Sequence, residues 1–292
     1  MYGGRPTMLV LVTPTCRGSG SKVLALELAI HLNIETKRPV ILIDLSTDFT
    51  SFDMETNCLT AYFNNIIHTA QATRRFEKAP DVLITKIITE ECMKIIDERK
   101  FIKNIFGGGL SAQLAEFVNY LLHKDFGVIV YVPPDMIGEY LLERAFVDTG
   151  LVNRAKIVIT SNEKKSCIDR PRMISSNDLL SRRVASIIIN KIPMGVLDGV
   201  REDVKVRLLK KTAPKGSPLL IGLIPLTMQL YYRDLNSYLP LLMKAEYNEH
   251  AKSISKLLTM VVRNILGVEK ESKILTVVRG MISEQRLGSL VH

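Results

Sequence analysis

Residues 8–44 read MLVLVTPTCRGSGSKVLALELAIHLNIETKRPVILID, and the reading of this stretch decides the fold. Met8 to Val12 form an apolar, largely branched run that stops at Thr13-Pro14. A loop of small and polar residues follows, from Thr15 to Lys22. Val23, Leu24, Leu26, Leu28, Ala29 and Leu32 then recur at the spacing of a helix face, and Val40 to Ile43 make a second buried-strand run. Strand, loop, helix and strand in this order predict the βαβ unit of a doubly wound parallel sheet. In such sheets the first loop gathers backbone N–H groups at the positive end of a helix. That is a place for phosphate, and Lys22 would add a full charge to it.

The loop resembles the deviant Walker A loop of the MinD/ParA family of P-loop ATPases, whose pattern is K-G-G-x-G-K-[ST]. On that pattern Arg17 replaces the signature lysine, Gly18 fits and Ser19 replaces a glycine. Gly20 takes the variable place, Ser21 replaces the last glycine, Lys22 fits, and Val23 stands where a Ser or Thr is expected. A hydroxyl at that last place would coordinate Mg²⁺, and valine has no oxygen to offer. A serine in place of the last glycine can obstruct close approach of the backbone to phosphate.

Working outward, the same resemblance runs through an ordered series. Asp44 matches the acidic residue that ends the second strand, where the family has an acid near the γ-phosphate; a turn or cap role fits it equally. Ser46 occupies the place of a second Asp. The segment Asp125 to Pro134, DFGVIVYVPP, is similar to the family's D-Y-x-x-x-D-x-P-P-G. Pro133 and Pro134 fit, Tyr131 takes the place of the metal-side aspartate and Asp135 that of the glycine, and Asp125 and Phe126 match the opening with one extra residue in between. Residues 155–162 and 184–189 read as further strands, the latter ending at Asn190-Lys191. The family's asparagine there contacts adenine, so Asn190 is the candidate for base recognition, with turn capping as the alternative. Leu219 to Pro225 matches L-x-G-x-I-P, and the residues after Pro225 are implied to approach the base.

Other segments are read from their own pattern. Leu59 to Thr73 predicts a helix with Ala61, Tyr62, Ile66 and Ile67 on one side. Asp81 to Ile84 predicts a short strand, and Glu90 to Ile105 a surface helix. Gly107-Gly108-Gly109 reads as a hinge, with Ser111 capping a helix over Ala112 to Leu122. Glu163 to Ile174 looks like the segment that follows the strand over 155–162 in MinD-like proteins. Lys252 to Leu266 predicts an amphipathic helix packed on the sheet. Lys273 to Leu290 carries Ile274, Val277, Val278, Met281 and Ile282 on one stripe and is expected to be a second one. Such a helix could lie on a membrane surface, as in MinD relatives. Gly280 and Gly288 favour docking on the protein body or a partner instead.

Composition sets outer bounds. The 292 residues are 47% hydrophobic and 24% charged, which supports a sizeable core. No apolar run reaches the length of a membrane span, and the opening MYGGRPT lacks an apolar signal region, so a cytoplasmic protein is the expectation. The net charge of +9 and pI of 9.3 fit weak binding to DNA or anionic membrane and fit plain solubility equally. Cys16, Cys58, Cys92 and Cys167 show no paired spacing and are expected to be free buried thiols. Cys16, beside Arg17 and Lys22 at a helix N-terminus, is the one placed for reactivity, though no partner base marks it as catalytic.

Together these readings predict an α/β fold, a mostly parallel sheet flanked by helices on both faces, over residues 1–267, with a C-terminal amphipathic helix or tail over 268–292. The resemblance implies ATP or ADP as ligand, held by Gly18, Ser19, Gly20, Ser21, Lys22, Val23, Asn190 and Pro225. Arg17 and Asp44 are the candidate catalytic residues. No metal ligand is assigned, because Val23 and Tyr131 replace both expected Mg²⁺ positions. Hydrolysis is therefore expected to be weak or absent. The implied partners are a second copy of the chain or a related ATPase, met in a positioning, partitioning or assembly role.

Overall fold

The computed structural model describes residues 8–47, 58–64, 73–89, 92, 98–164, 167, 178–203, 219–227, 238–269 and 271–286. Strand β1 (Leu9–Pro14), helix α1 (Ser21–Thr36) and strand β2 (Val40–Asp44) realise the expected βαβ unit. The other strands are β3 (Arg74–Phe76), β4 (Ala79–Lys86), β5 (Gly127–Tyr131), β6 (Ala155–Asn162), β7 (Val184–Ile192), β8 (Leu220–Pro225), β9 (Lys273–Val278) and β10 (Met281–Arg286). Among the described residues these form one sheet in the order β10-β9-β8-β7-β6-β1-β5-β2-β4-β3. Every pairing from β9 through to β4 is parallel, and only the two outer pairs, β9 with β10 and β3 with β4, are antiparallel.

A parallel sheet needs crossover helices, and these bury both of its faces. Along β1, Leu9 and Leu11 join one apolar cluster while Val10 and Val12 join the other; in β2, Ile41 and Ile43 oppose Val40 and Leu42 in the same way. The first face is covered by α2 (Leu59–Phe63), α3 (Glu98–Phe106) and α4 (Gly109–His123). The second is covered by α1 and by the long helix Glu249–Ile265. Helix α1 is buried from Val23 through Leu32 because it lies between the sheet and that long helix. This explains why its apolar residues run nearly all the way round.

Three readings of the sequence are corrected in detail. Helix α4 starts at Gly109, not Ala112, after Gly108 at φ 81°; Ser111 lies inside its first turn and donates to the Gly108 carbonyl at 2.9 Å instead of capping it. The glycines form a tight junction, with the Gly107 and Gly108 N–H groups bonded back to Lys103 and Ile105. The helix after Cys58 spans Leu59–Phe63, and β3 begins at Arg74; Ile66 and Ile67 lie outside the described residues, as do most of 90–97 and 165–177.

The larger correction is at the C-terminus. Residues 273–286 are a β-hairpin, not an amphipathic helix, so the expected helical extension of 268–292 is absent from its described part. Val278 pairs with Met281 across Arg279 (φ 47°) and Gly280 (φ 77°), two successive positive φ values that close a two-residue turn. β9 adds in parallel to β8, burying Ile274 on one face and Leu275 and Val277 on the other. A stripe at helical spacing and a strand buried on both faces use the same apolar letters. The Arg-Gly turn separates them.

Candidate functional site

The site forms where β1 hands over to α1. Gly18 (φ 79°) and Gly20 (φ 73°) bend the loop through left-handed backbone that L side chains seldom adopt. Gly20 precedes α1 with no side-chain cap, so the N–H groups of the first helical turn face the loop with the positive end of a 16-residue helix behind them. The loop borders a cleft of about 450 Å³ lined by Cys16 through Val23, Ser46, Thr47, Tyr131, Pro133, Pro134, Asp135 and Lys191. Arg17 and Gly18 are exposed at its edge.

Hydroxyls stitch the loop to the neighbouring strands. Thr160 Oγ1 donates to Ser21 Oγ at 2.8 Å, Ser19 Oγ contacts Ser21 Oγ, and Thr15 Oγ1 donates to Ser161 Oγ at 2.9 Å. Ser21, expected to impede phosphate, is thus engaged in a buried hydroxyl network with β6. Asn190 Nδ2 donates to the Ser19 carbonyl at 3.1 Å, and a Cβ on Gly20 would lie 2.7 Å from that nitrogen. Asn190 is buried, holds the loop from beneath and does not line the cleft. Pro225 ends β8 next to Ile192 and is likewise not part of the lining.

Lys22 is the most deeply set cation of the loop. Its Nζ donates to Ser46 Oγ at 2.7 Å, lies 3.5 Å from Asp44 Oδ2 and stands 5.6 Å from the centre of the Tyr131 ring. Asp44 is wholly buried; burial raises its pKa above the usual carboxylate value, while Lys22, Lys86 and the Ser46 bonds pull it back. The Ser46 N–H donates to Asp44 Oδ1 at 2.8 Å, the turn geometry that was the alternative for this residue. Asp44 therefore faces Lys22 from inside the protein and does not line the cleft.

Neither position where the resemblance expects a metal ligand carries a carboxylate or an aliphatic hydroxyl. Val23 is packed into the apolar cluster under α1, and Tyr131 presents its ring to Lys22. Asp135 lines the cleft and caps the helix that follows, its Oδ1 accepting the Gly138 N–H at 2.8 Å. Among the described residues no group of three His, Cys, Asp or Glu side chains could hold a metal ion. The loop amides and Lys22 fit an anion. Sequence reasoning missed Lys86, buried beside Asp44. It follows the apolar run Val82 to Ile84, where a lysine reads as a solvent-facing strand end.

The cysteine expectation is corrected. Cys58 and Cys92, both fully buried, form a disulfide with Cα atoms 6.4 Å apart, while Cys16 and Cys167 are buried and outside it. A separation of 34 residues gives no hint of pairing until the fold brings the two together. No helix among the described residues is long and apolar enough to cross a membrane.

No family model matches the chain, and no curated protein matches it in sequence. Solved structures do. The MinC:MinD cell division protein complex of Aquifex aeolicus aligns with TM-score 0.61 at 12% identity, covering 92% of this chain and 100% of that one. The septum site-determining protein MinD of Pyrococcus horikoshii, complexed with Mg-ADP, gives TM-score 0.56 at 15% identity, covering 86% and 94%. A plasmid partition protein of Borrelia burgdorferi bound to AMPPNP gives 0.57 at 11%, covering 87% and 97%. At low sequence identity and over most of its length, this chain has the P-loop fold of the MinD/ParA-type ATPases.

Proposed function

We propose that this protein binds a nucleotide or another phosphate-bearing ligand in the Lys22 cleft, hydrolyses it weakly or not at all, and acts through protein contacts in a positioning, partitioning or assembly role. One observation carries the reading: Lys22 and the α1 N-terminus face the cleft, while Val23 and Tyr131 put a methyl group and a ring where metal-binding oxygens are expected. Phosphoryl transfer depends on neutralising charge that develops on oxygen, largely by a positioned cation. Binding needs only the amides and the lysine. The P. horikoshii and B. burgdorferi structures, named for Mg-ADP and AMPPNP, make adenine nucleotides the first ligands to test. The A. aeolicus complex makes a protein partner the readiest route to function. Isothermal titration with ATP, with and without Mg²⁺, tests the reading; Mg²⁺-dependent turnover abolished by Lys22→Ala would overturn it.

A second reading, an ATPase that dimerises on ATP, draws on Arg17. It is exposed at the mouth of the cleft in the place of the signature lysine, where a cation can reach a partner's nucleotide. Sedimentation with and without ATP separates the two: an ATP-driven dimer with turnover favours the second.

A further inference from the structure

Three adjacent strands place one residue each at the same level of the sheet. Tyr131 of β5, Asp44 of β2 and Lys86 of β4 are register partners across two parallel pairings. Register partners in neighbouring parallel strands lie about 4.8 Å apart and point to the same face. That face is the one α1 covers, since Leu42 and Ile129, two residues back on β2 and β5, and Val82 and Ile84 on β4 belong to the cluster packed under α1. Lys22, reaching from α1, closes the row from above: 5.6 Å from the Tyr131 ring and 3.5 Å from the Asp44 carboxylate. Lys86 is 2% exposed and acts electrostatically on Asp44 from the other side. One buried carboxylate therefore lies between two lysines, of which only Lys22 reaches the cleft.

We infer that Lys86 is a positioning residue for ligand binding: it holds the charge of Asp44 when Lys22 leaves that carboxylate for a bound phosphate, so the cleft takes polyphosphate without a divalent cation. This rests on the reading of the cleft as a phosphate site. The physical reason is the cost of a lone buried charge. When Lys22 swings to a phosphate, Asp44 would be left ionised in the interior with its nearest cation gone, a state far costlier than a buried pair. Lys86 is fixed in place by the β2–β4 pairing, where the Ile87 N–H donates to the Asp44 carbonyl at 2.8 Å. It stays behind when Lys22 moves. Tyr131 and Ser46 give Lys22 a resting place that it can leave without breaking the fold. The charge offset that a metal gives elsewhere comes here from a lysine that never touches the ligand.

The test is isothermal titration of the full chain with inorganic tripolyphosphate and with ATP, each in EDTA and in MgCl₂. The variants are K86M, D44N and the double variant D44N/K86M, with folding checked by circular dichroism. Wild type is expected to bind equally well in EDTA and in MgCl₂. K86M is expected to bind at least about tenfold more weakly, because Lys22 becomes the sole counter-ion of Asp44. D44N is expected to bind more tightly than wild type, since nothing holds Lys22 back. In the double variant the K86M penalty should vanish, a coupling that a merely structural role for Lys86 would not produce. If wild type binds and K86M matches it, or if the double variant is as weak as K86M, the inference fails while the cleft reading stands. D44N binding more weakly than wild type overturns it even where K86M does not fold. If wild type binds neither probe in either buffer, the cleft reading itself falls, and the inference with it.

Discussion

Lys22 Nζ lies 3.5 Å from Oδ2 of Asp44, a carboxylate with no solvent exposure, and the lysine itself is only 11% exposed. The lysine of the loop is thus part of the protein's interior charge balance as well as of its cleft. Lys22→Ala is expected to remove binding of polyphosphates and to cost about 1–3 kcal/mol of stability. That is less than the loss of a buried ion pair's only partner, because Lys86 remains beside Asp44. Urea unfolding of the variant, paired with titration, checks both halves. A variant as stable as wild type would mean that Asp44 does not depend on Lys22.

Gly20 supports a sharper test of the loop. Its φ is 73°, and the Cβ that an alanine would add there falls 2.7 Å from Asn190 Nδ2, so conformation and crowding act on the same residue. Gly20→Ala should cost about 1–2 kcal/mol from backbone conformation together with the displaced side chain. Adding Asn190→Ala removes the collision but also the bond to the Ser19 carbonyl. The double variant should therefore stay less stable than wild type. Full recovery would show that Asn190 does not hold the loop.

Behind the loop, α1 carries a buried pair whose titrations oppose each other. Burial pushes Glu27 up to about 7, against the pull of the Tyr238 hydroxyl, the Leu241 N–H and Lys244. Burial pushes His31 down to about 4. The 3.7 Å approach of His31 Nε2 to Glu27 Oε2 is therefore not an ion pair near neutrality, since the imidazole is uncharged there. For Glu27 the folded state holds the proton more tightly than the unfolded one, so its contribution is full below pH 4.5 and is lost as pH rises to about 7. For His31 the unfolded state takes the proton first, so stability is lost as pH falls from 6.5 to about 4. Between pH 4.5 and 6.5 the two slopes oppose each other. His31→Gln should expose the Glu27 slope, with stability falling toward pH 7 by at most about 3 kcal/mol. Glu27→Gln should expose the opposite slope. Urea midpoints measured from pH 4 to 7.5 decide the matter, and two variants with the same slope would refute the assignment.

How much of this is legible in the sequence follows from range. The βαβ start is readable because two apolar runs flank a Gly-Ser loop and a helix, and both strands are buried on two faces, which leaves unbroken apolar letters. The order of β6, β7 and β8 is readable because each ends in polar residues or proline. That Val23 and Tyr131 stand where the resemblance expects metal-binding oxygens is readable one position at a time. What is not readable depends on register and long-range contact. Nothing in the local sequence says that Lys86 lies beside Asp44, that Asn190 bonds to Ser19, or that Cys58 meets Cys92. The C-terminal hairpin escapes a local reading because Ile274, Val277 and Val278 satisfy a helix stripe as well as a strand. Within a helix, Gly280 counts only as a weak point; with Arg279 it is the turn.

The disulfide gives a direct chemical prediction. With two of the four cysteines paired, denatured, unreduced protein should react with about half the thiol reagent that reduced protein consumes. Closing a loop across a separation of 34 residues lowers the entropy of the unfolded chain, and the loop-closure relation gives about 3–4 kcal/mol. Reduction, or Cys92→Ser, should lower the urea midpoint accordingly. Four reactive thiols in freshly purified, unreduced protein would remove the bond and this contribution with it.

The hairpin at the end of the described chain makes the last prediction, and it bears on membrane binding. If residues 273–286 were an amphipathic surface helix, removing them would spare the fold and abolish association with anionic vesicles. As β9 and β10 they do the reverse. β9 buries Ile274, Leu275 and Val277 against two apolar clusters, and Ser253 Oγ on the long helix donates to the Gly280 carbonyl. Burying each large aliphatic side chain is worth about 1.5–3 kcal/mol, so truncation after Ser272 should destabilise the protein by several kcal/mol and expose the β8 edge to aggregation. Gly280→Val is the milder probe: φ is 77° there, and a Cβ would lie 3.1 Å from that of Glu249. It should lower the midpoint while leaving vesicle sedimentation unchanged. A truncated protein that stays folded and monomeric but loses its hold on vesicles of phosphatidylglycerol would return this segment to the membrane reading.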